Sequence, residues 1–259
     1  MVVTFYKYQG TGNDFIIVDN RLQGISKNDT NRIAKWCNRR FGIGADGLIL
    51  LENDKDSDFK MVYFNADGNE SSMCGNGGRC ITAFAKFLGI IDTETIFSAI
   101  DGLHKARIKG SIVELQMQDV TAIDVFDKHL FLDTGSPHHV EMVVDVNTYD
   151  VKAKGAKIRY GLPYGEAGSN VNFVEQISEN TFAVRTYERG VEDETLSCGT
   201  GVTAVALAMH KQEMTQMNEV TLKTPGGELK VTFKESKDGY KNVWLIGPAV
   251  QVFKGVLEW

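Results

Sequence analysis

Short runs of period two dominate the chain. Residues 2–8 (VVTFYKY) alternate apolar and polar side chains and predict a strand. GTGNDF then predicts a turn, and IIVDN a second, buried strand. FGIGADG reads as a glycine-rich loop before LILLE, and DFKMVYFNADG as a strand closed by a turn. TIFSAI, LHKARIKG and SIVELQM continue the series, followed by HLFLDTG, HHVEMVVD, SNVNFVEQI, TFAVRTYERG, VTLKTPGGELKVTF, NVWLIG and VQVFKGVLEW. Helical spacing is rarer. Residues 29–40 (DTNRIAKWCNRR) place Ile33, Trp36 and Cys37 on one face, with Asp29 or Thr30 as cap. Two apolar runs, one over Ile81, Ala83, Phe84, Phe87 and Leu88 and one over Val202, Ala204, Val205, Leu207 and Ala208, are helix-compatible. The polar stretch 147–168 shows little periodicity.

Strands therefore outnumber helices, and connections are short. A doubly wound parallel sheet needs helices between most strands. The pattern instead predicts an α+β protein of two pseudo-symmetric, antiparallel, barrel-like domains, each wrapped around a central helix. The first is expected over 1–118 and the second over 119–249.

One unit occurs twice. NADGNESSMCGNGGRCITAFAKFL begins at Asn65, and ERGVEDETLSCGTGVTAVALAM begins at Glu188. Superposed, Glu70 falls on Glu194, Ser71 on Thr195, Cys74 on Cys198, Gly75 on Gly199, Asn76 on Thr200 and Gly77 on Gly201. A cysteine followed by Gly-x-Gly and a helix has a chemical consequence. The first helical turn presents N–H groups with no intrahelical acceptor, and the helix dipole adds positive potential. Both favour thiolate over thiol, which makes the cysteine a competent base or nucleophile. A matched pair suggests two such groups serving one substrate. Cys37 and Cys80 lack this context and read as core residues. Gly10 and Gly12 do not complete a dinucleotide fingerprint, because the third glycine is absent and a strand follows.

Composition narrows the partners. The 259 residues are 42% hydrophobic and 24% charged, with net charge −6, which argues against nucleic acid or an anionic membrane. The start of the chain carries Lys7 in an alternating pattern, unlike a signal peptide, and no run approaches the roughly 20 apolar residues of a membrane span. A cytoplasmic location is expected. The four cysteines form no CxxC pair, so no metal is expected.

GTGNDF, GIGADG, YFNADGNESSMCGNGGRC, TGSPHHV, SNVNF, YERG and ETLSCGTG, in that order, closely resemble diaminopimelate epimerase. The resemblance spans nearly the whole chain. It implies a cofactor-independent amino-acid epimerase of two similar domains that interconverts LL- and meso-diaminopimelate in lysine and cell-wall precursor synthesis. It also implies that strand 250–259 returns to the first domain, and that the protein is a homodimer acting on a small-molecule amino acid. Inverting an α-carbon needs a proton removed from one face and another supplied to the opposite face. Cys74 and Cys198 are expected to alternate as acid and base. Amides around Gly75, Asn76, Gly199 and Thr200 would stabilise the charge that develops on the α-carboxylate. The resemblance further places Asn13, Asn65, Asn170, Glu188 and Arg189 in the substrate pocket. It gives His138 to the Cys74 side and Glu188 to the Cys198 side as tuning neighbours. Oxidation is expected to close a Cys74–Cys198 disulfide and abolish activity.

The chain departs from the family pattern at three places. Gly47 stands where Gln is usual, Ser136-Pro137-His138 stands for Asn-Pro-His, and the loop after Arg189 is longer. Other readings of the same residues are a proline-type racemase or phenazine-pathway-like isomerase, a thiol redox protein, and a non-catalytic amino-acid-binding module. None but an isomerase explains why anion-binding helix starts accompany both thiols.

Overall fold

The computed structural model describes every residue except Gln23, Ser72 and Pro163. Ser72 lies within the first cysteine motif and Pro163 within the polar stretch. The chain divides into two compact units, one of Met1–Leu115 with Gly247–Trp259 and one of Gln116–Ile246.

The first unit contains β1 (Val2–Gly10), β2 (Asn13–Asp19), α1 (Thr30–Cys37), β3 (Gly47–Glu52), β4 (Lys60–Asn65), β5 (Glu70–Ser71), α2 (Gly75–Phe87), β6 (Glu94–Ala99), β7 (Gly102–Lys109) and β8 (Ile112–Gln116). The second contains β9 (Ile123–Val125), β10 (Leu130–Asp133), β11 (Pro137–Met142), α3 (Val151–Arg159), β12 (Asn170–Ser178), β13 (Thr181–Glu188), β14 (Asp193–Thr195), α4 (Gly199–Lys211), β15 (Glu219–Thr224), β16 (Gly227–Ser236) and β17 (Gly239–Pro248). β18 (Val250–Glu258) returns to the first unit and pairs antiparallel with β1, from Val2 opposite Glu258 to Gln9 opposite Val250.

The pairing order repeats. β1–β2, β3–β4 and β6–β7 are antiparallel, as are β10–β11, β12–β13 and β15–β16. β2–β3 and β4–β6 are parallel, as are β11–β12 and β13–β15. The sheets are thus mixed: antiparallel pairs predominate, as expected, and the parallel pairs are an addition to that expectation. A parallel pair requires a crossover. α1 and α3 supply it between β2 and β3 and between β11 and β12; α2 and α4 supply it for the other two pairs.

Burial follows from this layering. In β2 and β3, Ile16, Val18, Leu48 and Leu50 pack with Ile33, Trp36 and Cys37 of α1. The intervening Phe15 and Ile49 face Gly77 of α2. Strands covered on both faces read as continuous apolar runs, which is why IIVDN and LILLE lack alternation. α4 is apolar all round, and Val202 through Met209 are buried. α2 is likewise buried from Gly75 to Ile81.

Two helices differ from expectation. α1 ends at Cys37 instead of residue 40, because Asn38 Oδ1 accepts from the amides of Arg40 and Phe41 at 2.9 Å each and turns the chain. α3 occupies the stretch read as aperiodic. Asp150 caps it by accepting from Ala153 N at 3.1 Å, and Val151 and Ala156 join Val171, Phe173 and Tyr187 in a small core. Gly155 hides its period, since it packs directly on the Tyr187 ring.

Candidate active site

Each unit places one cysteine at a helix start. Cys74 and Cys198 both have extended backbone, φ −95° and −115°, and immediately precede α2 and α4. Their carbonyls accept from Gly78 N and Val202 N at 2.7 and 2.9 Å, opening the two helices identically. The first-turn amides of each helix therefore point past the cysteine with no carbonyl of their own helix to meet.

In the first unit the Cys74 thiol lies 3.5 Å from Asn13 Oδ1. Asn76 Nδ2 donates to the same oxygen at 3.2 Å, and Asn13 Nδ2 donates to Asp46 Oδ2 at 2.6 Å. Asp14, beside Asn13, is raised by burial alone, but hydrogen bonds from Arg39 and Lys7 outweigh this and hold it at about 2. Beneath the helix start sits Arg79, fully buried. It donates to Asn76 Oδ1 at 2.9 Å, Thr11 Oγ1 at 3.2 Å and Pro248 O at 3.4 Å. Gly10 leaves room for it, since a β-carbon there would lie 3.1 Å from Arg79 Nη2. Cys80 is buried below, and that burial pushes its thiol up to about 12 against the pull of the Arg79 charge.

In the second unit Cys198 Sγ lies 3.4 Å from Thr200 Oγ1, which lies 3.3 Å from Ser136 Oγ, which lies 3.1 Å from His138 Nε2. Asn172 Nδ2 approaches His138 Nδ1 at 3.2 Å. Asn170 Nδ2 donates to Ser136 Oγ at 3.0 Å, and its Oδ1 accepts from Arg189 N at 2.9 Å. His138 is fully buried, and burial, assisted by the Arg189 charge, pushes its pKa down to about 3. The ring is neutral. Its hydrogen bonds lead through Ser136 and Thr200 to Cys198 of its own unit. Glu188 accepts from Thr195 Oγ1 at 2.9 Å, and Arg189 Nη1 donates to Ala167 O at 3.0 Å. Gly201 permits a close packing here, because a β-carbon would lie 2.5 Å from Asn172 Oδ1 and 3.3 Å from Cys198 Sγ.

The sheet registers align the two clusters residue by residue. Phe15 pairs with Gly47 and Gly47 with Asn65, whereas His138 pairs with Asn170, which stands opposite Glu188 at the end of β12 and β13. Asn13 thus corresponds to Ser136, Phe15 to His138, Gly47 to Asn170 and Asn65 to Glu188. Gly47 has no space for a side chain. Its β-carbon would lie 2.5 Å from both Phe64 O and the Tyr63 ring. Asn65 sits in a turn, accepting from Gly68 N at 2.9 Å through its carbonyl. Arg79, Asp46 and Asn172 were not picked out from sequence. Arg79 carried a signal, as a cation between two glycines and an apolar helix.

A family model described as diaminopimelate epimerase matches residues 5–121 and 130–252. The chain belongs to the diaminopimelate epimerase family. It is 58% identical over 250 residues to the diaminopimelate epimerase of Flavobacterium psychrophilum, covering 96% of this chain and 98% of that one. The diaminopimelate epimerase of Aquifex aeolicus is 39% identical over 275 residues, covering 98% and 97%. Among solved structures, a phenazine biosynthesis protein of the PhzF family from Bacillus anthracis shares the fold at TM-score 0.82 and 13% identity, covering all of both chains. A hydroxyproline epimerase from Agrobacterium vitis does so at TM-score 0.70 and 13% identity, covering 99% of this chain and 92% of that one. Among the described residues, no group of side chains is arranged to hold a metal ion, and no helix is long and apolar enough to cross a membrane.

Proposed function

We propose that the protein interconverts LL- and meso-diaminopimelate, with Cys74 and Cys198 as the acid–base pair. The observation that carries this is the repeated helix start, in which each cysteine has a polar neighbour at the matching place, Asn13 with Asn76 in one unit and Ser136 with Thr200 in the other. In the proposed reaction a thiolate takes the α-proton, and the other cysteine returns a proton to the opposite face. First-turn amides at Gly75, Asn76, Gly199 and Thr200 hold the α-carboxylate as charge flows into it. Asn65, Asn170 and Glu188 would meet the substrate's polar groups, and Arg189 its distal carboxylate through a charge-assisted fork. The chemistry needs no pyridoxal phosphate.

The proposal extends to a cytoplasmic enzyme working on a small amino acid and assembled as a homodimer. Exposed Val252, Phe253 and Val256 on β18 favour a second copy of the chain as partner. Deuterium uptake from D2O at the α-carbon tests the reaction. Uptake is expected with LL- and meso-diaminopimelate and not with proline; uptake with proline alone sinks the reading.

A further inference from the structure

The hydrogen bonds at the two helix starts run in opposite directions. At Cys198 the direction is set by backbone groups. Asn172 Nδ2 donates to His139 O at 3.0 Å, and its Oδ1 accepts from Thr186 Oγ1 at 2.9 Å. Its amide nitrogen therefore faces His138 Nδ1, which must accept. The neutral ring carries its one proton on Nε2 and donates it to Ser136 Oγ. Asn170 is fixed in the same way, with Oδ1 on the Arg189 amide and Nδ2 shared between Pro137 O and Ser136 Oγ. Ser136 thus accepts twice, which leaves its own hydrogen for Thr200 Oγ1. Thr200 in turn has its hydrogen left for Cys198 Sγ. The sulfur is the acceptor at the end of a chain of donors.

At Cys74 the chain is reversed. The Asp46 carboxylate takes Asn13 Nδ2, so Asn13 presents its oxygen to the site. Arg79 donates to Asn76 Oδ1, so Asn76 presents Nδ2 to that oxygen. Cys74 faces an acceptor and must donate S–H.

We infer that the substrate-free protein holds Cys74 as the thiol and Cys198 as the thiolate, and that Ser136 is a positioning residue which sets the charge of Cys198 through Thr200. The inference rests on the proposed acid–base pair and assigns its resting state. A two-base reaction needs one protonated and one deprotonated group before substrate arrives, and a matched repeat alone would make both the same. Here Ser136 and Asn13, at corresponding positions, break the symmetry.

Other charges surround both sulfurs. Near Cys74 are Asp14 and Asp46, ion-paired with Lys7 and Arg39, and Asp101, which accepts from the Met73 amide and pairs with His104. Cys80 and Tyr8 are both held protonated by burial. The Arg79 charge acts the other way, toward thiolate at Cys74. In the second unit, Asp133 Oδ1 accepts from the Gly135 amide, Glu188 from Thr195 Oγ1, and the Arg189 charge reaches the His138 ring.

The test is alkylation of the intact, substrate-free protein by iodoacetamide across pH, with each cysteine read by peptide mass spectrometry. Cys198 is expected to titrate below Cys74. Ser136→Ala should raise the Cys198 midpoint and leave Cys74 unmoved, and Ser136→Thr should restore it. Thr200→Val, which removes the last donor, should lower the Cys198 alkylation rate below its midpoint about tenfold, the equivalent of one pH unit. A wild-type Cys74 midpoint below that of Cys198 overturns the assignment, as does a folded Ser136→Ala protein with an unmoved Cys198 midpoint. No substrate is present, so a negative deuterium result with diaminopimelate leaves these outcomes readable on their own.

Discussion

At the residue scale, most of the chemistry hangs on neighbours that sequence alone could not supply. Cys74 and Cys198 were legible because glycines and a helix follow each one twice. Cys74→Ser or Cys198→Ser is expected to lower epimerisation by about 10²–10⁴-fold, the usual worth of a general acid or base, in a steady-state assay. His138 was legible only as a candidate. Its complete burial, and hence its neutrality, depends on strands distant in sequence. That neutrality has a pH signature. Its pKa is about 3 here against an ordinary 6.5, so an unfolded chain binds a proton that the native ring refuses. The stability conferred by the neutral ring is complete above pH 6.5 and is lost as pH falls toward 3, by up to ~1.4 kcal/mol per pH unit. Asp14 joins only below its ordinary 3.8, since its native pKa is about 2. Thermal unfolding between pH 6.5 and 4 should therefore be less pH-sensitive in His138→Asn than in wild type.

Gly47 shows why a departure from the family can be structural. The Tyr63 ring occupies the space a side chain would need. Gly47→Gln should destabilise, by about 1–3 kcal/mol of overpacking, measurable as a lower denaturant midpoint.

Among the elements, strands with clean alternation and the two cysteine helices were readable, because one period and one environment acted on each. α3 was not. Its apolar face is only a few residues wide, and a glycine interrupts it. The parallel pairs were hidden for a related reason, since the α3 crossover lay in a stretch without visible period and the direction of pairing between distant strands leaves no local signal. Gly155 allows a direct test. Ala in an exposed helix interior would stabilise by ~1 kcal/mol relative to Gly. Here the added carbon would lie 2.3 Å from Tyr187 Cβ, so the steric term, about 1–3 kcal/mol, wins. Gly155→Ala is expected to lower the melting temperature; a rise would show that α3 does not pack on β13 as described.

For the whole molecule, the duplication was visible in sequence and the fold repeats it strand by strand. Sequence showed only part of where the repeat fails. Arg79 falls against Thr203 in the superposed cysteine motifs, whereas Asn13 against Ser136 and Phe15 against His138 emerge only once the registers are known. These pairs lie around the two sulfurs, where identical halves would be least useful.

β18 has a further consequence. Met1 donates to Trp259 O at 2.9 Å, and Trp259 N donates to Met1 O at 2.7 Å, so the first strand is bordered by the last. On the ribosome, the first unit must wait for the codons of residues 250–258 before its barrel closes, while the unit of Gln116–Ile246 can finish earlier. Nascent chains stalled before Val250 should accordingly show a protease-resistant second unit and a digestible first one.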